Sequence, residues 1–280
     1  MSERGPSIRR ILVAVDASPS SLAALEDAAK LAAVWGAELA GVFVEDSELL
    51  RMAQLPFMQT VGSFSATAHR LDTRRLELGF RADAGRVRRA LERIAEQERV
   101  EWTFRVVRGP VASEILAAAR GADLIMLGRI GWSLAGRRRV GSTVMAIMRA
   151  GSCPALILHQ GTPLGSPVLI AYDGSEAAQK ALSLALLLRQ DENEPLDVLI
   201  LADGPEAARA RRDQASQWLE QRGVEATFRQ LVGADMGTLA RTACDERGGV
   251  LVIPAEITPA GGEGLAAFLN KIGCPALVVG

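Results

Sequence analysis

Short, nearly unbroken apolar runs alternate along this chain with stretches in which apolar residues recur every three or four positions. Arg10-Ile11-Leu12-Val13-Ala14-Val15-Asp16 is the first run, β-rich and closed by an acid. Ser18-Pro19 follows, a helix N-cap with proline in the first turn. Leu22, Leu25, Ala29 and Ala32 then continue at helical spacing to Gly36. Leu39-Ala40-Gly41-Val42-Phe43-Val44 predicts the next strand. Buried runs separated by amphipathic helices imply a parallel sheet with right-handed crossovers.

Residues 45–65 break the pattern and are predicted to be an irregular excursion near the C-terminal edge of that strand. A long helix is predicted from Ala66 to Val100, carried by Val87, Leu91, Ile94 and Ala95, with Gly79 and Gly85 as weak points. Glu101 to Val107 predicts a third strand, and Gly109-Pro110 opens a short helix bearing Ile115, Leu116 and Ala119. Asp123-Leu124-Ile125-Met126-Leu127 reads as a fully buried fourth strand, and Ser142 to Arg149 as a helix ended by Gly151. Ala155-Leu156-Ile157-Leu158 completes a five-stranded α/β unit.

The same grammar then restarts. Gly161-Thr162-Pro163-Leu164-Gly165-Ser166-Pro167 reads as a linker, and Val168-Leu169-Ile170-Ala171-Tyr172-Asp173 echoes Ile11 to Asp16. Gly174-Ser175 caps a helix carrying Ala178, Leu182, Ala185 and Leu186. Gly273-Cys274-Pro275-Ala276-Leu277-Val278-Val279 echoes Ser152-Cys153-Pro154-Ala155-Leu156-Ile157-Leu158. The chain is a tandem repeat, with domains at 1–160 and 161–280. From Asp to Cys the first copy spans 137 residues and the second 101, and the deficit is expected after the second strand.

The candidate chemistry sits where the fourth strand of the first copy turns into its helix. There the chain reads Gly128-Arg129-Ile130-Gly131, nine residues, then Gly141-Ser142. A helix start offers free N–H groups and a positive dipole end to an anion, and glycine lets the anion approach. Arg137-Arg138-Arg139 adds positive charge, so the loop is predicted to cradle phosphate. Two glycines at a strand end are also ordinary turn punctuation, and an arginine run an ordinary solvated face. In the second copy Pro254 stands opposite Gly128, Gly262 replaces Gly141 and Glu263 replaces Ser142. A carboxylate there competes with phosphate and proline removes a donor. The second copy is therefore expected not to hold a polyphosphate this way.

Composition narrows the setting. The chain has 280 residues, 49% hydrophobic and 23% charged, enough for two ordinary cores. No apolar run approaches the roughly 18 residues of a membrane span. Met1-Ser2-Glu3-Arg4-Gly5-Pro6 lacks the layout of a signal peptide. Cys153, Cys244 and Cys274 are far apart, without metal-ligand spacing, and suit a reducing compartment, so the cytoplasm is expected. Residues 1–160 carry 22 Lys/Arg against 17 Asp/Glu, and residues 161–280 carry 10 against 16. That imbalance suits an anionic ligand in the first copy but does not argue for nucleic acid, because aromatic–basic interleaving is absent. No nucleophile–base pair is visible, since His69 and His159 each stand alone. Gly131 to Gly136 followed by Arg137-Arg138 misses the P-loop by its lysine and its hydroxyl.

With Asp16 after the first strand and the full Gly-x2-Gly-x9-Gly-Ser signature, the chain resembles the universal stress protein family, as a tandem two-domain member of its ATP-binding branch. The resemblance implies two doubly wound five-stranded parallel-sheet domains of strand order 3-2-1-4-5, with ligand at the C-terminal strand edges. By position it implies that Ala14, Val15 and Asp16 line the adenine and ribose side and that Val42 closes over the base. Leu127, Gly128, Ile130 and Gly131 would meet ribose and phosphates, and Gly141, Ser142, Thr143 and Val144 would hold the phosphates. Read without the resemblance, Asp16 is equally a turn-forming acid before a capped helix. The implied ligand is ATP, with Mg²⁺ or without it, or another adenine nucleotide, and the implied assembly is a pairing of the two copies that leaves room for a homodimer. A stress-response or signalling role is expected. Two other classes stay open: a scaffold in which ligand is incidental, and a slow ATPase or phosphotransferase.

Overall fold

The computed structural model describes residues 7–55, 59–61, 68–70, 72–129, 141–151, 153–159, 162, 164–189, 191, 193–245, 249–257 and 262–280. The N-terminal half runs β1 (Arg10–Ala14), α1 (Pro19–Trp35), β2 (Glu38–Asp46), α2 (Ser47–Ala53), β3 (Gln59–Val61), β4 (Ala68–Arg70), α3 (Thr73–Glu98), β5 (Trp102–Gly109), α4 (Val111–Ala118), β6 (Leu124–Gly128), α5 (Ser142–Ala150) and β7 (Ala155–Leu158). The C-terminal half runs β8 (Val168–Tyr172), α6 (Glu176–Leu188), β9 (Leu196–Ala202), α7 (Pro205–Glu220), β10 (Ala226–Val232), α8 (Met236–Asp245), β11 (Val250–Pro254), a 3-10 turn (Ala255–Ile257), α9 (Gly262–Lys271) and β12 (Ala276–Val279).

Both halves share one ten-stranded sheet, ordered β10-β9-β8-β11-β12-β7-β6-β1-β2-β5. Numbered within its own half, each set of five strands has the order 3-2-1-4-5 and is parallel throughout. The halves join where β12 pairs antiparallel with β7, Leu277 opposite Leu156 and Ala276 opposite Ile157. Leu277 and Leu156 are equivalent in the two repeats, and Ala276 opposite Ile157 is mirrored by Val278 opposite Ala155, so the junction is a pseudo-twofold, self-complementary contact. It covers two strand edges that would otherwise template association.

Each face of the sheet is covered by helices over an apolar cluster that runs through both halves. On one face α1, α3, α6 and α7 pack on residues such as Ile11, Val13, Leu39, Ile170 and Val198. On the other, α4, α5, α8 and α9 pack on Leu12, Ala40, Ile125, Leu169 and Leu251. Trp35 reaches across the junction, its indole N–H donating to the Leu187 carbonyl at 3.1 Å.

The deficit of the second copy falls where expected, residues 203–225 linking its second and third strands against residues 47–101 in the first. The long helix and the excursion before it depart from the sequence reading. Residues 47–53 form α2, because the Asp46 carboxylate caps the amides of Glu48 and Leu49. Ala68–Arg70 pairs antiparallel with Gln59–Val61, which puts His69 on a strand and not in a helix. Helix α3 starts only at Thr73, where the Asp72 side chain accepts from Arg74 N–H at 2.9 Å. Gly79 and Gly85 do not break it, since Ala84, Val87, Leu91, Ile94 and Ala95 bury one continuous face.

Candidate functional site

Strand order reverses at β1, whose neighbours β2 and β6 lead to helices on opposite faces. A crevice outside the strand C-termini belongs at such a switch point. The predicted site residues that the structure describes gather at this edge; Ile130, Gly131 and Arg137-Arg138-Arg139 lie outside the described residues.

The turn after β1 is built by side chains. Val15 N–H donates to the Val42 carbonyl at 3.0 Å, holding the two strands together at their ends. The half-buried Asp16 accepts from Ser18 N–H at 3.1 Å, and Ser18 Oγ caps α1 by accepting from Ser21 N–H at 3.2 Å. Ser21 Oγ in turn accepts from Asp16 N–H at 3.3 Å. Ala17 between them takes a left-handed φ of 62°. The second copy repeats the device with Asp173 accepting from Ser175 N–H at 3.0 Å and Gly174 at φ 81°. The turn role of Asp16 is therefore real in both halves and does not by itself mark a ligand.

The apolar predicted residues divide between the two faces. Ala14, Val42, Leu127 and Val144 share the cluster under α4 and α5, with half-buried Val44, Val107 and Val111 continuing it toward the edge. Val15 belongs to the opposite cluster, under α1 and α3, so at this edge it offers its backbone. Val42, Leu127 and Val144 are buried core residues.

The two described glycines have different reasons to be glycine. A Cβ at Gly128 would lie 2.7 Å from Ser20 Oγ and 3.1 Å from the Ser20 carbonyl carbon and oxygen. Gly128 lets α1 pack against the end of β6, a requirement of the fold. Gly141 has φ −66° and, among the described residues, nothing within 4 Å of where a Cβ would stand. It is the N-cap of α5, and no side chain caps that helix. Ser142 is exposed, Thr143 half-buried, and the amides of this first turn face outward as helix starts do. An uncapped helix start beside open space fits an anionic group, which the N–H groups and the dipole would stabilise.

Arg129 is a residue the sequence reading left without a role. Its N–H donates to the Leu158 carbonyl at 3.0 Å and its carbonyl accepts from Gly141 N–H at 3.3 Å, so both ends of the loop meet there. Its guanidinium donates to the Leu269 carbonyl at 3.1 Å, in the other half. A lone arginine between two glycines was the available signal, but its partner is 140 residues away.

The corresponding edge of the second half differs. Pro254 ends β11 opposite Val279, as Gly128 ends β6 opposite Leu158. Arg211 and Gln214 of α7 crowd the Asp173 turn, each 3.3 Å from where a Gly174 Cβ would be, and the Arg211 guanidinium donates to the Leu201 carbonyl.

A cleft of about 450 Å³ opens at the opposite strand edge, between Asp123, Cys153, Lys180 and Val279. Its polar groups serve the fold: Asp123 accepts from the Arg9 and Arg10 amides at 2.8 and 3.0 Å. Burial, with Asp123 nearby, pushes the Cys153 thiol up to about 11, and its S–H donates to the Ala122 carbonyl. A protonated thiol is a poor nucleophile. Among the described residues no group of three His, Cys, Asp or Glu is placed to hold a metal ion. Nor, among them, is any helix long and apolar enough to cross a membrane.

The universal stress protein family model matches residues 7–159. Universal stress proteins of Mycobacterium bovis and Mycobacterium tuberculosis are 23% identical over 180 residues, covering 62% of this chain. The match spans only 58% of the length of those relatives. A universal stress protein from Archaeoglobus fulgidus, 18% identical, superposes with a TM-score of 0.74 over 96% of this chain and 95% of its own. A putative universal stress protein from Pseudomonas aeruginosa, 16% identical, gives 0.62 over 98% and 93%. Both share the fold over both halves.

Proposed function

The chain belongs to the universal stress protein family, and from that premise we propose that its N-terminal half binds ATP, in a cytoplasmic stress-response or signalling role. The observation that carries the reading is Gly141. Neither its φ nor the described residues around it require glycine, yet it stands at a helix start with no side-chain cap and no described atom within 4 Å of a Cβ. That combination suits a phosphate, which the first-turn N–H groups and the helix dipole would hold. Adenine would lie against Ala14, Val42 and the half-buried Val44, with ribose between Asp16 and Gly128. The phosphates would sit over the amides of Ser142, Thr143 and Val144, beside the hydroxyls of Ser142 and Thr143. Ile130 and Gly131 would complete the cradle from the loop. Mg²⁺ would travel on the phosphates, since it keeps several waters and few protein ligands in such sites.

The C-terminal half, crowded by Arg211 at the equivalent edge, would be structural, and two such chains would have free outer edges for a homodimer. This reading assigns binding and no catalytic residue. Calorimetry with ATP, ADP and AMP in the presence of Mg²⁺ tests it, with one site per chain expected. Silence with all three would leave the interaction scaffold as the better account. Phosphate release that disappears in Asp16→Ala would instead make the protein a slow ATPase or phosphotransferase.

A further inference from the structure

The start of α5 is held from the other half of the molecule. Helix α5 buries Met145, Ile147 and Met148 in one cluster with Leu265, Phe268 and Leu269 of α9 and Ile272 just beyond it. Beside that contact, the Arg129 guanidinium donates to the Leu269 carbonyl at 3.1 Å. Leu269 lies in the last turn of α9, where carbonyls lack intrahelical partners and the dipole favours a cation. The backbone of the same residue pins both ends of the loop, to Leu158 and to Gly141. One residue thus joins β7, the helix start at Gly141 and the C-terminal turn of α9.

We infer that the C-terminal half positions the α5 start of the N-terminal half through Arg129, so that ATP binding there and the order of the α9 C-terminal turn are one coupled equilibrium. The inference rests on ATP occupying the start of α5. Arg129 is here a positioning residue, acting through the Gly141 N–H that its carbonyl holds. The coupling is reciprocal: whatever the Arg129–Leu269 bond adds to ATP affinity, bound ATP adds to the ordering of that bond. The second repeat is then part of the first repeat's site.

Arg129→Met and Arg129→Lys test this in the full-length protein. Lysine keeps the charge but is one heavy atom shorter and is no planar fork, so it does not reproduce the contact. Both variants are expected to bind ATP about tenfold more weakly, the lower part of the usual range for coupled sites. Hydrogen exchange supplies the readout that a purely structural residue would not move. In the wild type, ATP slows exchange of the amides from Leu269 to Gly273, and in both variants that slowing is lost. Wild-type affinity in either variant, or α9 exchange indifferent to bound ATP in the wild type, overturns the inference while leaving ATP binding intact. If the wild type itself gives no ATP heat, the nucleotide reading falls and takes this coupling with it.

Discussion

One added methyl at each end of the phosphate loop separates packing from binding. At Gly128 the new carbon would lie 2.7 Å from Ser20 Oγ and 3.1 Å from the Ser20 carbonyl. The hydroxyl can rotate, but the backbone is held by the Ser18 and Asp16 caps at the start of α1. Overpacking of this kind costs about 1–3 kcal/mol. In a chain of this length each kcal/mol moves Tm by about 2–4 °C, so Gly128→Ala should lower it by about 2–12 °C. At Gly141 the methyl meets no described atom within 4 Å and φ is already −66°. Only the weaker N-capping of alanine acts there, under about 1 kcal/mol, with a Tm change within about 4 °C. The methyl nevertheless occupies the space proposed for a phosphate. Losing one or two charge-assisted hydrogen bonds, each about 1.5–3 kcal/mol, weakens ATP binding at least tenfold. Calorimetric unfolding of the ligand-free proteins and titration with Mg-ATP give both quantities. Wild-type ATP affinity in Gly141→Ala would refute the reasoning, as would a Tm loss in that variant equal to the loss in Gly128→Ala.

Three further outcomes are expected. Ala17→Gly should stabilise the ligand-free protein by up to about 1 kcal/mol in urea unfolding, because left-handed alanine costs about 1–2 kcal/mol and the glycine entropy penalty returns only part of it; the Asp-Gly-Ser turn of the second repeat already uses this solution. A chain ended after residue 160 uncovers the β7 edge and the α5 face that meets α9, and light scattering should show it self-associating, where the full chain does not do so through that edge. Thiol reagents at pH 8 should modify exposed Cys244 well before Cys153 and Cys274, whose thiols burial pushes up to about 11. Those two thiols favour the folded state below their ordinary 9.0, and that contribution fades as pH rises from 9 toward 11, so the Cys153→Ser variant should show a shallower alkaline loss of stability.

Most of the fold was legible because the strands bury both faces. Runs such as Ile11 to Val15 and Val168 to Tyr172 leave no helical alternative of comparable length, and the Asp, Ser and Cys-Pro echoes reveal the repeat. What the pattern missed were boundaries set by single capping carboxylates, Asp46 and Asp72, which start helices inside a stretch without clear periodicity. The candidate site is marked in the sequence as a linear spacing around the α5 start. Its division of labour was not: Gly128 is required by Ser20 and Arg129 is engaged by Leu269, and both partners are distant in sequence. The crowding of the second repeat by Arg211 was hidden for the same reason, since α7 meets the Asp173 turn only after the chain folds.

The central claim is that one helix start in the N-terminal half holds the phosphates and its C-terminal counterpart holds none. A crystal structure of the full chain with saturating Mg-ATP measures this directly. The account predicts phosphate oxygens within hydrogen-bonding distance of the Ser142 and Thr143 amides, and no nucleotide beside Pro254. An empty α5 start at full saturation, or nucleotide bound at the Asp173 edge instead, would contradict it.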